Sequence, residues 1–313
     1  MVWTELLPKN PLATSSGGWW GGACLPRLHN IAEKITKEID PQTGFITLAK
    51  GSIVASQKTK QWSVVAMSTI AFTVCFMVWM MFAVIGIPIK KTLNLNETQF
   101  GLLVAMPVLT GSLIRLPLGM LTDKFGGRII FAILMASTIV PIYLIQFGTG
   151  LFVGVAGGSF TVGIAYCARW FPKNQQGLAM GIFGAGNSGA AVTKLVAPSL
   201  VLAYGWQYVP TVYAAVMLGT VILFWLFTFD DPSHKAGAKV SVAEQLAALK
   251  DPQVWKYCQY YSIVFGGYVA LSLWMTKYYV AEYGFDIKDA AFLAACFSLP
   301  GGVLRALGGI EGV

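Results

Sequence analysis

Gly111-Ser-Leu-Ile-Arg115-Leu-Pro-Leu-Gly119 and Gly301-Gly-Val-Leu-Arg305-Ala-Leu-Gly-Gly309 repeat one pattern, Gly-x-x-x-Arg-x-x-x-Gly, each time inside a long apolar segment. An arginine within a bilayer costs at least about 2.5–3.5 kcal/mol, so it is rarely there without a task. Two of them in matching contexts imply two structural repeats, each contributing one cation to a shared site. A fixed pair of guanidinium groups inside a membrane reads most simply as an anion site.

The segments around the two repeats recur along the chain. Stretches long enough to span a bilayer (~20 residues) begin at Trp62, and we place helices near 62–88, 98–121, 129–147, 149–171, 177–203, 208–230, 256–281 and 288–309. The connection between the third and fourth, Gln146-Phe-Gly-Thr-Gly150, is very short. Composition agrees: of 313 residues, 56% are hydrophobic and 12% charged, and the mean hydropathy is +0.63. The fold class expected is therefore an all-α polytopic membrane protein.

The net charge of +8 comes from 22 basic against 14 acidic residues. In a membrane protein such an excess belongs to cytoplasmic loops, not to a nucleic-acid footprint. Lys50, Lys58, Lys60, Lys124, Arg128, Arg169, Lys173, Lys235, Lys239, Lys250 and Lys256 fall on one side of the predicted bundle. The amino terminus is thus expected in the cytoplasm. Lys90 and Lys91 are exceptions, offset in part by Glu97. The five cysteines have no Cys-x-x-Cys spacing, and His29 and His234 lie outside the apolar segments. With no nucleophile–base pair or ligand cluster in view, neither an enzyme nor a bound metal or other cofactor is expected. No cleavable leader is evident, so entry to the membrane is assigned to the first span.

Six predicted spans precede the longest polar stretch, 231–255, and two follow it. The first repeat arginine lies in the second span, and the second lies in the second span after the linker. That is the layout of a transporter built from two parallel halves. The expected organisation is an extension at 1–61, a complete six-helix half at 62–230, a linker at 231–255, and the first two helices of a second half at 256–313. By this count four helices lie beyond Val313, and Ile310-Glu-Gly-Val313 departs from the loop that follows the first repeat. The expectation is a truncated chain. Trp19-Trp20 in the extension, flanked by glycines, belongs to a disordered tail by this reading.

The loop after the first repeat reads Gly119-Met-Leu-Thr-Asp123-Lys-Phe-Gly-Gly-Arg128. It resembles the signature of the major facilitator superfamily, Gly-x-x-x-Asp-(Arg/Lys)-x-Gly-x-Arg. Gly119, Asp123, Lys124, Gly126 and Arg128 then form a conformational gating motif, in which Asp123 and Arg128 make charge-assisted bonds that hold neighbouring helix ends. Gly184-Ala-Gly186-Asn-Ser-Gly189 matches a dinucleotide fingerprint, but follows no strand and lies inside a span. It reads better as packing. Gly177, Gly181, Ala185 and Gly189 form a stripe of small residues, and Gly150, Gly154 and Gly158 form another. Asn187 is a polar amide set among them.

The resemblance sharpens at Phe171-Pro-Lys-Asn-Gln-Gln-Gly-Leu-Ala-Met-Gly-Ile-Phe-Gly-Ala-Gly-Asn187-Ser-Gly189, Gly154-Val-Ala-Gly-Gly-Ser-Phe160 and Phe297-Ser-Leu-Pro-Gly-Gly-Val-Leu-Arg305. These resemble the fifth, fourth and eighth helices of the nitrate/nitrite porter family. The resemblance implies secondary transport of nitrate, nitrite or both across a bacterial inner membrane. It implies that Arg115 and Arg305 clamp the anion, that Asn187 hydrogen-bonds it, and that Tyr261, Phe265 and Phe160 wall the site. A first-helix aromatic belongs there too, and Phe76 is the expected one. The chemistry suits the anion: nitrate is planar and always ionised, and a guanidinium offers two parallel donors where lysine offers a point charge. Lys194, seven residues after Asn187, is open to two readings. It either snorkels toward the outer surface or serves as a titratable group that couples transport to protons. Two alternatives stand beside the leading one: a porter for another small anion such as phosphate or a carboxylate, and a truncated membrane protein that does not transport.

Overall fold

The computed structural model describes residues 57–147, 151–231 and 247–311, and every regular element among them is helical. The predicted tail with Trp19 and Trp20, the linker through residue 246, and Gly148–Gly150 of the short connection lie outside the described residues. Eight helical segments appear in the predicted order. The first comprises α1 (Gln57–Trp79) and α2 (Phe82–Thr92). Then come α3 (Glu97–Phe125), α4 (Gly127–Leu144) and α5 (Ser159–Trp170), the last preceded by a 3-10 stretch, Leu151–Gly158. The fifth segment comprises α6 (Gln176–Gly184) and α7 (Gly189–Tyr204), and the sixth is α8 (Tyr208–Phe227). After the linker come α9 (Pro252–Tyr283), α10 (Ile287–Val303) and the short α11 (Arg305–Glu311).

Six of the eight segments are long and apolar enough to cross a membrane: Gln57–Thr92, Glu97–Phe125, Gly127–Leu144, Phe152–Trp170, Tyr208–Phe227 and Ile287–Gly309. The fifth and seventh fall short in apolarity. The fifth carries Asn187, Ser188, Thr193 and Lys194, and the seventh carries several tyrosines, Gln259 and Lys277. The sequence reading counted eight spans by length; by composition two of them are diluted by the polar groups described below.

Caps set the boundaries. Asn96 and Gln99 form a reciprocal capping box at the start of α3, with bonds of 2.8 and 3.0 Å. Asp251 caps α9, with Pro252 following at the first turn, and Asp286 caps α10. The α3–α4 corner turns at Gly126, whose φ of 90° is a region open to glycine. The next residue, Gly127, is pressed against Tyr166, which lies 2.4 Å from where a Cβ would sit.

Besides the fourth span with its 3-10 stretch, three spans depart from regular α geometry. The first breaks at Met80–Met81, between α1 and α2. The fifth tightens to a 3-10 turn at Ala185–Ser188. There the Asn187 side-chain Nδ2 donates to the carbonyl of Gly184 at 2.6 Å, a local bond that competes with the helical ladder. The eighth breaks at Leu304, just before Arg305.

The first span runs through the middle of the bundle and is the most buried. Glycine stripes set the approach of its neighbours. A Cβ at Gly189 would meet the Thr73 carbonyl at 2.3 Å, and one at Gly186 the Phe72 ring at 2.5 Å. A Cβ at Gly154 would lie 2.5 Å from the Pro107 carbonyl. The seam between the fifth and eighth spans is glycine on both sides. A Cβ at Gly181 would lie 2.9 Å from the Gly309 Cα, one at Gly309 2.5 Å from the Gly177 carbonyl, and one at Gly302 2.5 Å from the Ser188 backbone nitrogen. The packing role read from the two stripes is realised at Gly154, Gly158, Gly181 and Gly189, while Gly150 lies outside the described residues.

Candidate functional site

Arg115 projects from the continuous helix α3. Its guanidinium lies 5.7 Å from the Trp79 ring centre, 5.8 Å from Phe160 and 5.7 Å from Phe265. Its Nε donates to the Gly157 carbonyl at 3.3 Å. Arg305 opens α11, and its guanidinium lies 5.2 Å from Phe265 and 5.7 Å from Tyr268. One benzene ring, Phe265, therefore faces both cations. Among the described residues, no carboxylate comes within ion-pairing distance of either arginine.

Phe160, Tyr261 and Phe265 are mutually stacked. Phe160 lies 6.2 Å from Tyr261 and 6.1 Å from Phe265, and the latter two are 5.1 Å apart. Tyr261 also lies within the electrostatic reach of both arginines. The spacing Tyr261–Phe265 is one helical turn, so both rings leave α9 on one face. A cavity of about 560 Å³ opens between α3 and α9, its walls including Trp79, Val108, Ser112, Arg115, Tyr261 and Phe265. That is ample for a four-atom anion.

The sequence-predicted residues are distributed unevenly around this centre. Arg115, Arg305, Phe160, Tyr261 and Phe265 converge. Among the described residues, the rings facing the two arginines are Trp79, Phe160, Phe265 and Tyr268, with Phe76 not among them. It is 2% exposed and packs on Phe72 and Trp79. The first-span aromatic against Arg115 is Trp79, three residues further on. Asn187 is fully buried, and its Oδ1 has no hydrogen-bond partner among the described residues.

Lys194 does not snorkel. It is 1% exposed, and its ammonium donates to the Ser298 hydroxyl on α10. Ser298 donates in turn to the Ala294 carbonyl at 3.0 Å and faces the Ser272 hydroxyl at 3.2 Å. The Tyr268 hydroxyl lies 3.0 Å from the Ser298 carbonyl and 3.1 Å from that of Asn187. A buried polar chain thus links the fifth, seventh and eighth spans. Neither Ser298 nor Tyr268 stood out in the sequence, since serine and tyrosine in apolar segments are ordinary packing residues.

At one end of the bundle the residues of the Gly119–Arg128 stretch meet charged and aromatic partners on neighbouring spans. Asp123 pairs with Arg169. Arg169 also meets Asp231 at 3.3 Å and the Thr122 carbonyl at 3.4 Å. Arg128 pairs with Asp230 at 3.3 Å, donates to the Trp225 carbonyl at 2.7 Å, and lies 4.3 Å above the Trp225 ring. Lys124 sits over Phe125. A Cβ at Gly119 would make ordinary contact with Thr161 of the fourth span. The motif therefore ties the second, third, fourth and sixth spans of one half. At the other end Glu97 accepts from Lys90 and, at 2.5 Å, from Lys277 of the seventh span.

Comparison with known proteins accords with this architecture. The family model of the Major Facilitator Superfamily matches residues 67–310. A probable nitrate/nitrite antiporter, NarK1, of Thermus thermophilus is 39% identical over 263 residues, covering 78% of this chain and 59% of that protein. The nitrite extrusion protein of Bacillus subtilis is 30% identical over 253 residues, 78% of this chain and 63% of the relative. A probable nitrate transporter, NarT, of Staphylococcus carnosus is 33% identical over 264 residues, 82% of this chain and 67% of the relative. The chain thus spans about three fifths to two thirds of the length of these curated relatives. It is a multi-pass membrane protein that belongs to the major facilitator superfamily, in its nitrate/nitrite porter family.

Proposed function

We propose that this chain takes part in secondary transport of nitrate, nitrite or both across a bacterial inner membrane, with its amino terminus in the cytoplasm. The observation that carries the reading is the pair Arg115 and Arg305. Each comes from the corresponding helix of its half, both face Phe265, and neither has a carboxylate partner among the described residues. Cations held in a low-dielectric interior without a counter-ion favour an anion between them.

In this reading Arg115 and Arg305 grip the planar anion with paired N–H groups. The second amide N–H of Asn187 donates to it. Phe160, Tyr261 and Phe265 exclude water and guide the anion edge-on toward the cations. Phe76 supports these walls from behind, through Phe72 and Trp79. Anion binding relieves the mutual repulsion of the arginines and stabilises closure of one half on the other, giving alternating access. Gly119, Asp123, Lys124, Gly126 and Arg128 brace one end of the first half during that cycle. The buried ammonium of Lys194 takes up and releases the coupling proton. The bilayer is the surrounding solvent, and nucleic acid has no part.

The test is nitrate binding to the purified chain in lipid nanodiscs by titration calorimetry, with phosphate and acetate as competitors. Binding of nitrate and nitrite that is lost in Arg115→Lys and Arg305→Lys supports the clamp. Normal affinity in both variants overturns it.

A further inference from the structure

We propose that Trp79 and Tyr268 are a matched pair of positioning residues, each orienting the arginine of its own half. Each lies on the first helix of a half: Trp79 ends α1, and Tyr268 lies midway along α9. Each presents its ring to one guanidinium at the same distance, Trp79 to Arg115 and Tyr268 to Arg305, both 5.7 Å. Both also donate or reach to a carbonyl on the helix that leads into that arginine. Trp79 Nε1 donates to Pro107 at 2.8 Å, and the Tyr268 hydroxyl is 3.0 Å from Ser298.

The repeat glycines explain the match. A Cβ at Gly111 would come within 3.0 Å of Trp79 Nε1, and a Cβ at Gly301 within 2.7 Å of Tyr268 Cε2. The first glycine of Gly-x-x-x-Arg is thus the slot through which the aromatic passes to lie under the arginine one turn later. The two aromatics differ in chemical type but close the same local pattern, Phe72-x-x-x-Phe76-x-x-Trp79 and Tyr261-x-x-x-Phe265-x-x-Tyr268, so sequence and geometry agree on the equivalence. Both side chains are buried, at 2% and 8% exposure. Each therefore has a fixed orientation and a partner for its polar handle, as buried Trp and Tyr require.

An anchored ring holds a cation in place without neutralising it. A carboxylate in the same position would hold the arginine equally well and occupy the fork that an anion must use. The aromatic leaves the planar face braced and the N–H edge open. The effect on anion affinity rests on the transport reading above; the orientation of the arginines does not.

The experiment uses the full chain in nanodiscs, isotope-labelled at arginine nitrogen. The Nε–Hε signals of Arg115 and Arg305 are assigned with Arg115→Lys and Arg305→Lys. Trp79→Leu is expected to move the Arg115 signal alone, and Tyr268→Leu the Arg305 signal alone, by loss of the ring current. Trp79→Phe and Tyr268→Phe keep a ring and restore most of each shift. An unmoved arginine signal in either folded leucine variant overturns the proposal. Should a leucine variant not fold, thermal-stability cycles pairing Tyr268→Met with Arg305→Lys, and Trp79→Met with Arg115→Lys, decide it: additive effects overturn it, coupled effects support it. Nitrate titration is then expected to weaken about tenfold in the leucine variants and to recover in the phenylalanine variants. If the native chain binds no nitrate, the transport reading fails while the arginine spectra still judge the positioning role.

Discussion

Four arginines of this bundle fall into two pairs with opposite surroundings. Arg128 and Arg169, at one end, are each met by aspartate: Asp230 for the first, Asp123 and Asp231 for the second. Arg115 and Arg305, in the interior, are met by Trp79, Phe160, Phe265 and Tyr268. The interior is the costlier place for a charge, yet it is the interior pair that has no carboxylate partner among the described residues. Stability alone would put the carboxylates inside. The difference teaches that the end pair fastens helices, while the interior pair, on the function proposed above, awaits an anion from outside the chain.

The comparison breaks most sharply if the interior is given its own anion. Phe265→Glu should place a carboxylate beside both interior arginines. Nitrate binding, followed by calorimetry, should disappear, while the melting temperature holds or rises. Retained binding would erase the distinction between the pairs. Next in size, Arg115→Lys or Arg305→Lys should weaken nitrate about a hundredfold through loss of the bidentate fork, roughly two charge-assisted hydrogen bonds. The same change at Arg128 or Arg169 should leave affinity within a few-fold. Lys194→Gln is expected to retain nitrate affinity but to lose the dependence of vesicle uptake on an imposed pH gradient; preserved proton coupling would remove Lys194 from the cycle. The smallest effect belongs to the end pair. Asp123→Asn leaves Arg169 with Asp231 and should lower stability by about 0.2–1 kcal/mol, as partly exposed ion pairs do. High salt should reduce that deficit, because screening already weakens the native pair.

The sequence disclosed the spans, their order and the two arginines, because periodic apolarity and a charge in lipid are strong, local signals. It also disclosed the glycine stripes, since close helix approach admits few other residues. The partners of the gating motif were not disclosed. Asp123 and Arg169 are 46 positions apart, and nothing in either segment indicates that the second and fourth spans end side by side. Phe76 and Trp79 illustrate a finer limit. Both are apolar, both lie on α1, and they differ by less than a turn. The sequence supplies the aromatic face, but only the placement of Gly111 and Gly157 opens the gap that the indole fills. The break at Met80–Met81 was likewise unmarked, whereas that at Leu304 follows Pro300-Gly301-Gly302. Lys194 shows the reverse case. Its depth was evident from spacing, and the hydroxyl that keeps it there, Ser298, lies 104 positions away.

The seam between the fifth and eighth spans has a mechanical consequence. Gly177, Gly181, Gly302 and Gly309 bring backbone against backbone, with hardly a side chain between. Interlocked side chains behave as gear teeth: a helix can shift only by jumping a notch. A surface stripped to peptide groups behaves instead as a plain bearing, on which two rods slide or roll through small displacements without any rotamer having to change. Arg305 rides on one of those rods and Asn187 on the other, so the lubricated joint runs beside the charge it would move.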